Sequence, residues 1–118
     1  MQKEVLLEML DQNQKTCSYA WDRITDENKD LRLNEKTASI GFIYRHIGET
    51  INLFGQFFGI PTKVQNTTMG QTDTGMEYDL ETSRTLIDMG FEMLKKLVEE
   101  SLDTDWLDPI DTPFFGTV

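Results

Sequence analysis

The stretch TASIGFIYRHIGETINLFGQFFG, residues 37–59, decides the fold of this 118-residue chain and holds its single histidine, His46. At about 100° per residue, its apolar side chains fall into two stripes. Ile40, Ile43, Ile47, Ile51, Phe54 and Phe58 make the first; Phe42, His46, Leu53 and Phe57 make the second. The pattern predicts a helix over 38–59 that is buried on most of its circumference, with Arg45, Glu49, Asn52 and Gln56 facing water. Asn34 and Thr37 mark its start, and Gly59 followed by Pro61 marks its end.

Gly41, Gly48 and Gly55 recur at intervals of seven beside the first stripe. Each costs roughly 0.5–1 kcal/mol relative to alanine inside a helix. Close approach of a neighbouring helix backbone compensates for such a cost, and seven-residue spacing keeps the glycines on one seam. Simple tolerance of a crowded core is the alternative. If the seam is a helix contact, Gly48→Leu splays the bundle.

Outward from this segment, two more helical patterns appear. The first covers about 2–24, where Leu6, Met9, Leu10, Asn13, Cys17, Ala20, Trp21 and Ile24 share a face. The other covers about 80–102, opened by a cap at Asp79, with Ile87, Phe91, Leu94, Val98 and Leu102 along its inner face and Leu86, Gly90 and Leu97 beside them. No segment alternates in the manner of a strand, so the fold class is all-α in a single helical domain. The charged connection TDENKDLRLNEK carries Leu31 and Leu33, expected to tuck against the bundle end. The connection over 60–79 is long and rich in Thr, Gly and Asn, a length associated with functional or mobile loops.

With 11 basic and 21 acidic residues, the net charge is −10. Such a surface repels phosphate backbones and anionic lipid, so neither nucleic acid nor membrane is expected as a partner. One cysteine, Cys17, allows no internal disulfide and fits a reducing compartment. The first residues lack the apolar run and small-residue cleavage site of a signal peptide, and no run approaches a membrane span. The expectation is a soluble, cytoplasmic protein.

Residues 103–118 read as an irregular lead-in. Thr112-Pro113 has the form of a helix start, a capping hydroxyl followed by proline. Trp106, Phe114 and Phe115 make the segment unusually apolar for a tail. The expectation is that a fourth helix is truncated here or supplied by another subunit.

A first helix bearing Trp21, a second whose middle reads Ser39-Ile-Gly-Phe-Ile-Tyr-Arg-His46-Ile-Gly-Glu49, and a closing Pro113-Phe-Phe-Gly116 turn together resemble the DinB/YfiT-like superfamily. The match covers essentially the whole chain, in short and degenerate pieces. The resemblance implies an up-down-down-up four-helix bundle. It also implies a divalent metal, nickel, zinc or iron, held by three histidines: one from the middle of the second helix, matched by His46, and an H-x3-H pair on the fourth. Hydrolase activity, or transfer of a low-molecular-weight thiol, is associated with members. The resemblance thus implies a metal-dependent hydrolase or thiol transferase for the complete protein. The 118 residues alone would then be inactive, holding no metal or an adventitious ion at His46.

A catalytic divalent ion needs about three protein ligands and an open position for water. Glu49, three residues after His46, could join it on one ion, but it shares the polar arc with Arg45 and reads as that arginine's solvated partner. For His46 the competing reading is a half-buried histidine hydrogen-bonded across a helix interface. Cys17 reads as a small apolar side chain. Asp22, Asp26 and Glu27 read as a solvated patch, and Asp103, Asp105, Asp108 and Asp111 as loop residues lacking a calcium-loop pattern. The function of the other class is a non-enzymatic helical binding or dimerisation module. Three helices with an open apolar face predict a two-fold homodimer, and a small-molecule substrate would enter beside the second helix.

Overall fold

A computed structural model describes residues 2–102, 105–106, 108–112 and 116–117. Three helices dominate: α1 (Gln2–Trp21), α2 (Ile40–Phe54) and α3 (Leu80–Glu100). A 3₁₀ turn over Gly55–Phe58 continues α2, and Gly59 closes it in the left-handed region at φ 79°. The chain is thus mostly helical, as its periodicity predicts. Two short strands, β1 (Asp111–Thr112) and β2 (Gly116–Thr117), pair antiparallel with Thr112 opposite Gly116. The helix start expected at Thr112 is therefore replaced by a strand end. Pro113, Phe114 and Phe115 lie outside the described residues.

Capping sets two of the helix starts. Ser39, not Thr37, caps α2, its hydroxyl accepting from the Phe42 N–H. The carboxylate of Asp79 caps α3 by accepting from the Thr82 N–H at 3.0 Å, at the position the sequence indicates.

Contacts along the helices fix their directions. Lys3 reaches the Glu99 carbonyl, Lys95 pairs with Asp11, and Arg84 pairs with Asp22, so α1 runs antiparallel to α3. Arg45 meets Ser83, Asn52 meets Leu86, Ile51 faces Gly90 and Gly55 faces Met93, so α2 and α3 advance together. The order is up, down, down. Parallel neighbours cannot be joined by a tight turn. The connection over 59–79 must travel back along the length of α2, and this explains why it is long.

The core gathers where α3 passes between the other two helices. Tyr44, Ile87 and Phe91 are buried at its centre, with Leu10, Trp21, Ile24, Ile47, Ile51 and Leu80 packed around them. The Trp21 and Tyr44 rings meet with centroids 5.3 Å apart and planes tilted by 35°, bringing the end of α1 to α2. No residue of α1 is fully buried; Leu6, Leu10, Cys17 and Trp21 are half-buried, while Met9, Asn13 and Ala20 are exposed. Leu33 is 94% exposed and Leu31 60%, so neither tucks against the bundle end as expected. Leu102 is likewise exposed, just beyond the end of α3.

The second helix is turned relative to the sequence expectation. Glu49 is 1% exposed and Asn52 is also buried, whereas Ile43 is 48% exposed. The cause lies in the glycine seam and in the returning loop. A Cβ at Gly48 would sit 2.9 Å from the Leu86 Cβ and 3.1 Å from the Ser83 carbonyl. Gly90 meets the Ile51 side chain so closely that a Cβ there would collide with its Cγ2. These two glycines let α2 and α3 approach and draw in Asn52, close to Gly48 on the same face, while Glu49 is buried under the returning loop. Asn52, one turn on, then bridges the crossing: its amide donates to the Gly48 and Leu86 carbonyls, both at 2.8 Å. Gly41 serves a different neighbour, donating its N–H to the Lys29 carbonyl at 2.7 Å, and Gly55 faces the Met93 side chain.

Candidate functional site around His46

His46 sits midway along α2 on the flank away from α3's tightest contact. Its ring stacks on Phe42, one turn earlier, with centroids 6.5 Å apart and planes inclined by 10°. Phe42 in turn meets the buried Tyr78 edge-on at 5.8 Å. Burial, reinforced by the charges of Asp73 and Glu49, pushes the Tyr78 phenol above its ordinary value.

The returning loop crosses α2 at this level and is strapped to it. Asn66 accepts from the Thr68 and Met69 N–H groups, a local turn that points two successive threonines at the helix. The Glu49 carboxylate receives them. Its Oε1 accepts from the Thr67 N–H at 2.7 Å, the Thr68 N–H at 3.0 Å and the Thr68 hydroxyl at 2.8 Å; its Oε2 accepts from the Thr67 hydroxyl at 2.5 Å. Glu49 is therefore an acceptor for the loop and not a solvated partner of Arg45. Arg45 instead donates to the Ser83 hydroxyl and the Asp79 carbonyl, with its guanidinium 5.2 Å from the centre of the Tyr78 ring.

A second strap lies further along. Asp73 accepts from the Ser39 N–H at 2.8 Å and the Gly75 N–H at 2.9 Å, and pairs with Arg32 at 3.1 Å. Burial alone would raise its carboxyl, but these N–H groups and the arginine outweigh that and hold it below the usual value. The loop is thus fixed at two points along α2, at its N-cap and just past its middle.

His46 Nδ1 lies 3.2 Å from the Thr68 hydroxyl oxygen, within the same network. On its other side the ring lines a shallow apolar groove of about 330 Å³, shared with Ile47, Thr50, Ile51, Phe54 and Leu94. Thr50 Oγ1 is buried there with no hydrogen-bond partner among the described residues. Leu94 also lines a second apolar groove, of about 210 Å³, with Leu6, Met9, Leu10, Phe58, Leu97 and Val98 among its walls. The two grooves meet on α3, between α1 and α2. His46 stands at the edge of this furrow, half-buried.

The other sequence candidates do not converge on it. Cys17 is half-buried, with its sulfur 3.8 Å from the Asn13 side-chain oxygen. Asp22 pairs with Arg84 at 3.1 Å and Asp26 with Lys29 at 3.4 Å. Asp105 accepts from the Leu102 N–H, a turn role, and Asp111 lies in β1; Asp103 is outside the described residues. Among the described residues no group of three or more His, Cys, Asp or Glu side chains could hold a metal ion. With Glu49 committed to the threonines, these residues offer one nitrogen donor, which is not a catalytic metal set by itself.

No protein-family model, no curated protein and no solved structure matches the chain. Among the described residues, no helix is long and apolar enough to cross a membrane.

The sequence marks His46 as a candidate but does not mark Thr67, Thr68 or the inward role of Glu49. The available signal was the loop itself. A carboxylate flanked by apolar stripes needs donors, and paired threonines after Asn66 in a long return loop can supply them.

Proposed function

We propose that the protein is a DinB-like, metal-dependent hydrolase or thiol transferase whose site is built on the His46 edge of the furrow. His46 would supply one metal ligand, and a helix seated between α1 and α2 would supply the others. The observation that carries this reading is a lone histidine, ring-stacked and hydrogen-bonded in place, midway along the second helix of an up-down-down array. Such an array leaves room for one more helix against α1 and α2. A metal bound there would activate water or a thiol, and the described residues offer it one nitrogen donor, His46. A small molecule would enter along the apolar furrow.

The test is metal analysis of the protein purified from its own cells without chelator, followed by nickel or zinc titration of wild type and His46→Ala. Stoichiometric metal, and a rise in melting temperature with added ion that His46→Ala abolishes, are expected. Absence of both would sink the reading.

A second reading has its own observation. Val5, Met9, Ile43 and Phe58 are exposed apolar side chains at or near the furrow, which favours a homodimerisation module without chemistry. Under that reading, light scattering at micromolar concentration gives a dimer mass, and His46→Ala leaves it unchanged.

A further inference from the structure

We infer that Thr68 and Glu49 are positioning residues that hold His46 as its Nδ1–H tautomer, so that Nε2 is the atom offered to a ligand in the furrow. This rests on the reading of His46 as the functional side chain of that furrow, and it names the residues that prepare it.

The argument is a count of protons. A threonine hydroxyl has one proton to give. The Thr68 proton goes to Glu49 Oε1 at 2.8 Å. Four donors surround the Glu49 carboxylate, two N–H groups and two hydroxyls, which is the company an acceptor-only group requires. The Thr68 oxygen therefore meets the imidazole with a lone pair. Across 3.2 Å, Nδ1 must be the donor. Neutral imidazole carries one N–H, so Nε2 keeps its lone pair. It has no hydrogen-bond partner among the described residues, whose nearest groove neighbours are apolar apart from Thr50. An Nε2 lone pair with the opposite N–H anchored by an acceptor is the arrangement that fixes the ring's orientation toward an ion or an acidic proton. The relay needs α2 for Glu49 and His46 and the return loop for Thr68, so the strap that fixes the loop also sets the ring.

The chain's single histidine makes the test direct. Long-range proton–nitrogen correlation of uniformly ¹⁵N-labelled protein, recorded at mildly alkaline pH, reports His46 alone. The expected wild-type spectrum has Nδ1 at a pyrrole-type shift and Nε2 at a pyridine-type shift. The opposite pattern, or the averaged shifts of a freely exchanging imidazole, overturns the inference without any variant. Thr68→Val removes the acceptor and is expected to swap the two shifts or average them. Thr68→Ser keeps the hydroxyl and should restore the wild-type pattern, which a purely structural role for Thr68 does not require. Wild-type shifts persisting in Thr68→Val would also defeat the proposal. A protein with the expected tautomer and no metal would refute the metal reading and leave this one standing; metal binding with the opposite tautomer would do the reverse.

Discussion

Gly48→Leu is expected to lower stability by about 3 kcal/mol or more, and for a chain of this size the melting temperature should fall by roughly 10 °C or more. The new Cβ alone would lie 2.9 Å from the Leu86 Cβ and 3.1 Å from the Ser83 carbonyl, the second being backbone that cannot rotate away. The rest of the leucine side chain would have to enter a crossing already filled by Ile87 and bridged by Asn52. The two parallel helices would have to separate, breaking the amide bond from Asn52 to Leu86 and loosening the Arg45 contacts at Ser83 and Asp79. Gly55→Ala is the matched control. Its Cβ would meet the tip of the Met93 side chain, which is flexible and can swing aside. There the gain in helix propensity, up to about 1 kcal/mol, should leave stability unchanged or slightly raised. Thermal and urea melts of the two variants decide the matter. Equal transitions in Gly48→Leu and wild type would mean that α2 and α3 do not meet at this seam.

The same seam explains how far the sequence could be read. Helix existence and direction of burial are different questions. The 3.6-residue periodicity, the Asp79 cap and the Gly59-Pro61 stop locate three helices within a few residues of where they lie. The facing of α2 was misjudged because Arg45, Glu49 and Asn52 are charged or polar, and such residues are usually exposed. Yet Asn52 lies only about 40° around the helix from Gly48. A glycine seam announces the closest neighbour, so residues beside it are walled in whatever their polarity. Once buried, Asn52 and Glu49 needed internal partners, and the partners are the Leu86 carbonyl and the Thr67-Thr68 pair. Those partners lie 18 or more residues away in the chain, and nothing local in α2 encodes them. Hence His46 was legible as a candidate while the residues that orient it were not. The short β1–β2 pair escaped notice because two-residue strands have no period to detect.

Glu49→Ala is expected to cost about 3 kcal/mol, and to release the return loop before the helices melt. The carboxylate satisfies four donors at once. Removing it takes the acceptor from the Thr68 hydroxyl, on a residue 1% exposed, and leaves the Thr68 N–H only its longer bond to the Asn66 side chain at 3.2 Å; a buried group left unpaired costs about 1–3 kcal/mol. Thr67 lies nearer the surface, and water can recover its two bonds. Glu49→Gln should fall between, at about 1–2 kcal/mol. Its carbonyl oxygen still accepts, but its amide presents donors where the threonine hydroxyls already donate. The informative measurement is amide hydrogen exchange. Thr67 and Thr68 should lose their protection in Glu49→Ala, while the core amides of α3 around Ile87 and Phe91 should weaken only by the global loss of stability. The second strap predicts the limit of the effect. Asp73 still holds the Ser39 and Gly75 N–H groups and Arg32, so the segment after residue 73 should remain protected when the Thr67-Thr68 half opens. Uniform loss across both halves would show that the loop is one cooperative unit held by other contacts. Unchanged protection at Thr67 and Thr68 would show that Glu49 does not hold the loop at all.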